Sequence, residues 1–500
     1  MAYNKSRAGT GVPGLDEVLQ GGFIRDRLYL VDGNPGSGKT TLALQFLREG
    51  VRVGERCLYV TLSETREELA DGATSHDWAL DDIEVVELIP DQQAALLGGG
   101  DVTMIHPSDV ELSETMAKIL AAVDRVKPTR MVIDSLSEMR LLAQSSLRYR
   151  RQILALKQYF VGRKCTLLML DDRTAEGPDL QLHSIAHGVI GLYLSAPTYG
   201  KARRELQVLK CRGSDYATGY HDFTIARDGI VLYPRLVAAD HGSEFAPSLI
   251  ASGNASLDAL LGGGIQRGTS TLLSGPPGSG KSTIALQYAS AAAARGDHAA
   301  TFIFDETQEA LLTRSRHIGL DIKVGTGAGK VMIRQIDPAE ISPGEFAAIV
   351  RKSVEQDSAR VVIIDSLNGY LNAMPQDNFM SAQLHQLLTY LSNKGVTTFM
   401  VIAQSGMIGT PTSPIDASYL ADSVVILRYF EHNGSIHKAI SVMKKRTGGH
   451  EESIRQLWFD ETGIHLSEPL LQLRGILTGV PVESGAPPPP GLTVASGRAL

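Results

Sequence analysis

Gly33-Asn34-Pro35-Gly36-Ser37-Gly38-Lys39-Thr40 and Gly275-Pro276-Pro277-Gly278-Ser279-Gly280-Lys281-Ser282 decide the fold of this 500-residue chain. Both fit G-x-x-x-x-G-K-[ST], and both stand in the context that pattern needs. A short apolar run precedes each (residues 28–31 and 271–273), and a helical pattern follows, opened by Thr41 or Thr283. Gly33, Gly36, Ser37 and Gly38, like Gly275, Gly278, Ser279 and Gly280, let successive backbone N–H groups curl around phosphate oxygens. Lys39 and Lys281 would neutralise β/γ-phosphate charge, and the hydroxyls of Thr40 and Ser282 would join a Mg²⁺ shell. Two loops in matching contexts predict two nucleotide sites, each taking ATP and Mg²⁺.

The composition sets bounds on everything else. Apolar residues make up 43% and charged residues 21%, ordinary values for a globular α/β chain. No stretch reaches the roughly 18 apolar residues of a membrane span, so no membrane role is expected. Residues 1–11 are polar and lack the apolar core of a signal peptide, which makes the cytoplasm the expected compartment. Cys57, Cys165 and Cys211 are too scattered for a disulfide framework or a zinc site and read as small buried residues. The chain carries a net charge of −7, and each half is net negative. That balance argues against nucleic acid as the main ligand, because phosphate backbones are bound by basic surfaces.

The two loops are offset by 242 positions (Lys39 to Lys281), and other elements repeat at nearly the same spacing. Leu15-Asp16 and Gly21-Gly22 return as Leu257-Asp258 and Gly263-Gly264, and Glu64 returns as Glu306. Met131-Val132-Ile133-Asp134-Ser135 answers Val362-Ile363-Ile364-Asp365-Ser366 at an offset of 231, and Lys210-Cys211-Arg212 answers Lys444-Lys445-Arg446 at 234. Shared order with small insertions is the mark of a duplicated domain. We therefore expect domains over residues 1–242 and 243–482, followed by a disordered tail over 483–500, where Pro and Gly dominate. Short runs rich in Val, Ile and Leu (131–133, 167–170, 361–364 and 397–402) read as strands buried on both faces. Each half is thus an α/β domain, a mainly parallel sheet covered by helices, with ligands at the carboxyl ends of its strands.

Acidic residues fall where the chemistry needs them. Asp134 and Asp365 each end a buried strand, the position from which a carboxylate orients a water on Mg²⁺. Glu64 in the first half, and Asp305 with Glu306 in the second, close another strand and are candidates to take a proton from water or a hydroxyl. The competing reading gives those stretches to helix caps, with Thr65 or Thr307 followed by first-turn acids.

The combination of a Leu-Asp–Gly-Gly lead-in, an acidic pair before Thr, an Ile-Asp-Ser strand and a late Lys-x-Arg resembles the KaiC family over nearly the whole chain. The resemblance implies two tandem RecA-like P-loop domains in a homo-hexamer with nucleotide at the subunit interfaces. It also implies that the first ring is an ATPase, and that the second adds ATP-dependent Ser/Thr autophosphorylation and its reversal. Protein regulators of the KaiB type become the expected partners. By the same resemblance Lys210, Arg212, Lys444 and Arg446 reach the nucleotide of a neighbouring subunit.

Two departures stand out. The first acidic pair reads Ser63-Glu64, so Glu64 must serve as base or turnover there is slow. Ser418-Tyr419 occupies the place of adjacent Ser and Thr, leaving Ser418 as the expected phospho-acceptor. Alternatives at this level are a nucleotide-gated scaffold with little hydrolysis, for which Ser63 speaks, and a DNA-dependent motor, against which the charge speaks.

Overall fold

The computed structural model describes residues 6–88, 107–173, 180–197, 199–372, 380–404, 417–478 and 481–483. It divides into two compact units, Met1–Arg235 and Leu236–Leu500. Each unit is built on one nine-stranded sheet. Of the expected tail, only Glu483 is described; it lies in a two-residue strand paired with Leu473–Arg474, and residues 484–500 lie outside the described residues.

In the first unit the strands are β1 (Leu28–Gly33), β2 (Cys57–Thr61), β3 (Ile83–Glu87), β4 (Arg130–Asp134), β5 (Thr166–Asp172), β6 (Gly188–Ser195), β7 (Arg203–Cys211), β8 (Tyr220–Ala226) and β9 (Gly229–Tyr233). Their spatial order is β9-β8-β7-β6-β1-β5-β4-β2-β3. The pairs from β6 to β3 are parallel, and β7 to β9 extend the sheet as an antiparallel meander. Alternation explains why the middle strands are apolar through their centres, with acidic residues only toward their carboxyl ends. Tyr29, Val31, Val132 and Leu168 point into one core, whereas Leu28, Leu30, Met131, Ile133 and Leu167 point into another on the opposite face. Strands buried on both faces have no polar side to show, as the sequence predicts.

The second unit repeats the plan with β10 (Ser270–Gly275), β11 (His298–Ile303), β12 (Val331–Gln335), β13 (Ala359–Asp365), β14 (Thr397–Ala403), β15 (Ser423–His432), β16 (Ser435–Lys445), β17 (Arg455–Asp460) and β18 (Gly463–Pro469). The order β12-β11-β13-β14-β10-β15-β16-β17-β18 matches the first sheet strand for strand. Leu272, Val362 and Met400 again face one core while Leu273, Ile363 and Phe399 face the other. The division between the units falls before Leu236. Residues just beyond it join the second unit, where the Ala238 N–H donates to Gln386 Oε1 and Asn393 Nδ2 donates to Ala238 O.

Candidate nucleotide sites

Each P-loop leaves the carboxyl end of the central strand, β1 or β10, and runs into a 14-residue helix, α1 (Lys39–Arg52) or α3 (Lys281–Ala294). The last loop glycine has to be glycine. Gly38 and Gly280 cap these helices at φ 103° and 107°, and a Cβ on Gly280 would stand 2.2 Å from the Phe459 ring. The unpaired N–H groups of each first helical turn, with the positive end of the helix dipole, make the loop a ready anion site.

In the first unit, Lys39 Nζ donates to Gly33 O at 2.9 Å and Asn34 O at 3.1 Å, and forms an ion pair with Asp172 at 2.6 Å. Thr40 Oγ1 donates to Asp134 Oδ2 at 3.0 Å, so the loop hydroxyl and the strand-end carboxylate already touch. Tyr59 OH donates to the same carboxylate oxygen at 2.5 Å. Burial pushes the Asp134 carboxyl above its ordinary range, against the pull of the Tyr59 and Thr40 hydrogen bonds. Glu64 stands at the edge of this group. Thr61 Oγ1 accepts from its N–H at 3.0 Å and donates to its carbonyl at 2.7 Å, which fixes the backbone. Burial first, then the charges of Asp134, Glu68 and Asp172, raise its carboxyl, which makes it a stronger base. The cap reading holds as well, one residue on. Thr65 caps α2 (Arg66–Thr74) through a full capping box with Glu68, which leaves Glu64 outside the cap.

The second unit places the same residues differently. Lys281 Nζ donates to Pro276 O at 2.8 Å, and burial lowers its pKa to about 8, with Asp365 opposing. Asp365 is pushed up to about 6 by burial, against the Ser282 hydrogen bond. Asp305 accepts a short hydrogen bond from Ser366 Oγ, and Glu306 forms an ion pair at 2.9 Å with Arg314 on α4 (Gln308–His317). Both acidic candidates are therefore held by neighbours, whereas Glu64 has its backbone held and its carboxylate raised.

The Lys-x-Arg elements and Ser418 lie elsewhere. His187 N–H donates to Leu28 O at the start of β1, and Arg212 N–H donates to His187 O. Lys210 Nζ donates to Ala186 O at 2.7 Å, and its pKa is lowered by burial. In the second unit Asp422 accepts from Ser270 N at 2.9 Å at the start of β10, and Arg446 forms an ion pair with Asp422 at 3.3 Å. Lys444 Nζ donates to Ser418 O at 2.9 Å and Ala421 O at 2.7 Å. Parallel strands rise about 3.3 Å per residue, so Ser270 and Gly275 stand roughly 16 Å apart. In each unit the late cations, and in the second Ser418 as well, thus occupy the end of the sheet opposite that unit's own P-loop.

Three residues that sequence reading passed over belong to the sites: Asp172, Tyr59 and Arg314. Asp172 ends β5 as part of Leu170-Asp171-Asp172, an acidic strand end of the kind that singled out Asp134, and that signal was available. Tyr59 and Arg314 look like a core residue and a surface helix charge, and only the fold brings them to the carboxylates. Among the described residues, no helix is long and apolar enough to cross a membrane and no cluster of His, Cys, Asp and Glu forms a separate metal site.

Comparison with known proteins agrees with this geometry. The family model for the KaiC ATPase matches residues 8–237 and again 250–470. The circadian clock protein KaiC3 of Synechocystis is 27% identical over 493 residues, covering 95% of this chain and 94% of the relative. The circadian clock oscillator protein KaiC of Acaryochloris marina is 24% identical over 483 residues, 94% and 90% of the two chains. That of Synechococcus elongatus is 23% identical with 94% and 91% covered. Two matched repeats, each carrying a P-loop that faces a strand-end Asp on a RecA-like sheet, place this chain in the KaiC family of ATP-binding ATPases.

Proposed function

We propose that the protein is an ATP-assembled hexamer whose first domain (1–242) hydrolyses ATP and whose second (243–482) transfers the γ-phosphate of ATP to Ser418 of an adjacent subunit. The observation that carries this reading is the placement of each Lys-x-Arg at the end of the sheet opposite its own unit's P-loop, a central strand of roughly 16 Å lying between, which supports completion of each site by another copy. Lys210 and Arg212 serve the neighbour's first site, and Lys444 and Arg446 its second. A cation supplied across an interface stabilises phosphoryl charge and ties turnover to assembly.

The pairs Thr40–Asp134 and Ser282–Asp365 fit Mg²⁺, since each sets a hydroxyl against a strand-end carboxylate. The ion would supply charge neutralisation at the β- and γ-phosphates. At the first site Glu64 takes the proton of the attacking water. At the second, Ser418 Oγ attacks the γ-phosphorus, a new P–O bond forms and the bond to the β–γ bridging oxygen breaks. ADP leaves, and the hydroxyl proton passes to Asp305 or Glu306. Such transfer needs positioning and electrostatics more than covalent chemistry. KaiB-like or signalling proteins are the partners this reading expects.

Mass spectrometry after incubation with Mg-ATP tests it. One phosphate at Ser418, lost in Ser418→Ala and in Lys281→Ala, is the expected result. Undiminished labelling of Ser418→Ala would overturn the assignment of the acceptor; the alternative acceptors Thr412 and Ser413 lie outside the described residues. Absence of any phosphate would overturn the kinase reading and favour a nucleotide-gated scaffold.

A further inference from the structure

The residue paired with Lys39 has no counterpart in the second unit. Gly33 lies opposite Asp172 in the β1–β5 register, and Gly275 lies opposite Ala403 in the matching β10–β14 register. Asp172 is fixed from both sides. Its Oδ1 lies 2.6 Å from Lys39 Nζ, and its Oδ2 accepts from Ser137 Oγ at 3.1 Å, itself bonded to Ser135 Oγ at 2.7 Å. In the second unit Asn368, at the position of Ser137, instead bonds the Ala403 backbone in both directions, at 3.0 and 2.8 Å. The two differences belong together. One repeat has a carboxylate and a hydroxyl that holds it; the other has a methyl and an amide that ties down the strand end.

A P-loop backbone cradles the α- and β-phosphates while its lysine reaches the β- and γ-phosphates. The ammonium face left over by the β-phosphate is the face the γ-phosphate takes. Lys39 turns one face to Gly33 O and Asn34 O in the loop and another to Asp172 on β5. We propose that Asp172 is a specificity-determining residue of the first site, occupying the γ-phosphate face of Lys39 and so lowering that site's preference for ATP over ADP. ADP leaves the ion pair intact. ATP must displace a carboxylate that Ser137 prevents from swinging away, and must then bear its charge at close range. The second site, with Ala403, carries no such bias. This inference rests on the reading of the first P-loop as a nucleotide site.

The test is equilibrium binding of Mg-ADP and of Mg-AMPPNP, which resists hydrolysis, to the full chain with the second site silenced by Lys281→Ala. Asp172→Asn is expected to tighten AMPPNP about tenfold and ADP less than about threefold, the scale of relieving one close like-charge contact at a half-exposed site. Asp172→Glu should keep the parental ratio. The reciprocal change, Ala403→Asp in a Lys39→Ala background, should lower the ratio of AMPPNP to ADP affinity at the second site. An unchanged or lowered ratio in Asp172→Asn overturns the proposal. If neither nucleotide binds the parent at the first site, the nucleotide reading falls and this inference with it.

Discussion

The two P-loops share a backbone and differ in what surrounds their charges. In the first unit Lys39 has Asp172 at 2.6 Å, and Asp134 has Tyr59 at 2.5 Å. In the second, the corresponding positions are Ala403 and Thr301. Lys281 is left with a backbone carbonyl and drops to about 8, while Asp365 rises to about 6. Duplication copied the strand order and the loop, but the ionic state of a site is set by one or two side chains on neighbouring strands. Similar folds can therefore hold sites of different chemistry.

The largest effect expected from this contrast concerns the base. Thr61 pins the Glu64 backbone, and its counterpart in the second unit, Ile303, has no hydroxyl. Glu64→Gln, in a Lys281→Ala background, should lower single-turnover ATP hydrolysis by about 10²–10⁴-fold, the usual cost of losing a general base. Because the Glu64 carboxyl is raised, hydrolysis by the parent should also fall as pH drops through that raised value, where the base becomes protonated. Ser63→Glu, which adds a carboxylate beside it, should increase turnover. A Glu64→Gln rate equal to the parent's would break the comparison.

A second effect separates the lysines. ATP binds the charged ammonium, and the lowered pKa of Lys281 means that this charge is complete below about pH 8 and lost above it. Affinity of the second site for Mg-AMPPNP should therefore fall as pH rises through 8, by up to about tenfold per pH unit. Ala403→Asp places a carboxylate opposite Gly275, as Asp172 lies opposite Gly33, and should move the fall to higher pH. Titration calorimetry across pH 7–10 in a Lys39→Ala background reads both. An affinity flat across that range would show that Lys281 keeps its charge by other means.

Much of this was legible in the chain because it is written in local patterns. Two P-loops, apolar strand runs, the strand-end Asp134 and Asp365 and the repeat spacing all follow from adjacent residues, and the sheets have the predicted parallel middle. The antiparallel meanders β7–β9 and β16–β18 went unread: β7, β8 and β17 intersperse polar residues among apolar ones, while the apolar run Ile230-Val231-Leu232-Tyr233 of β9 and the buried stretch Ala439–Val442 of β16 were signals passed over. The site's charge partners were also hidden. Asp172 is 133 positions from Lys39 (172 − 39), and Tyr59 is 75 from Asp134 (134 − 59). Pairings of that range are fixed by strand order, which no local pattern states. The ring-type reading of Lys210 and Lys444 came from resemblance alone, and the fold adds that both stand at the sheet end opposite their own P-loops.

The smallest effect isolates the Tyr59–Thr301 difference. Tyr59 is fully buried and its hydroxyl is spent on Asp134, lowering that carboxyl against the stronger effect of burial. Tyr59→Phe should therefore cost about 1–2 kcal/mol of stability, less than the full value of a bond to a charged acceptor because Thr40 still donates. The sign of its pH dependence follows from what the hydroxyl stabilises. The bond favours ionised Asp134, so the deficit should be present at pH 8 and shrink as pH falls and the carboxyl is protonated. Thr301 Oγ1 is buried with no hydrogen-bond partner among the described residues. Thr301→Val keeps the shape and removes an unpaired hydroxyl, so it should be neutral or stabilising by up to about 1 kcal/mol, with no change between the two pH values. Urea midpoints at pH 5 and 8 for both variants decide the matter. Equal losses from Tyr59→Phe at both pH values would mean that the ring's packing, and not its hydroxyl, distinguishes the first site from the second.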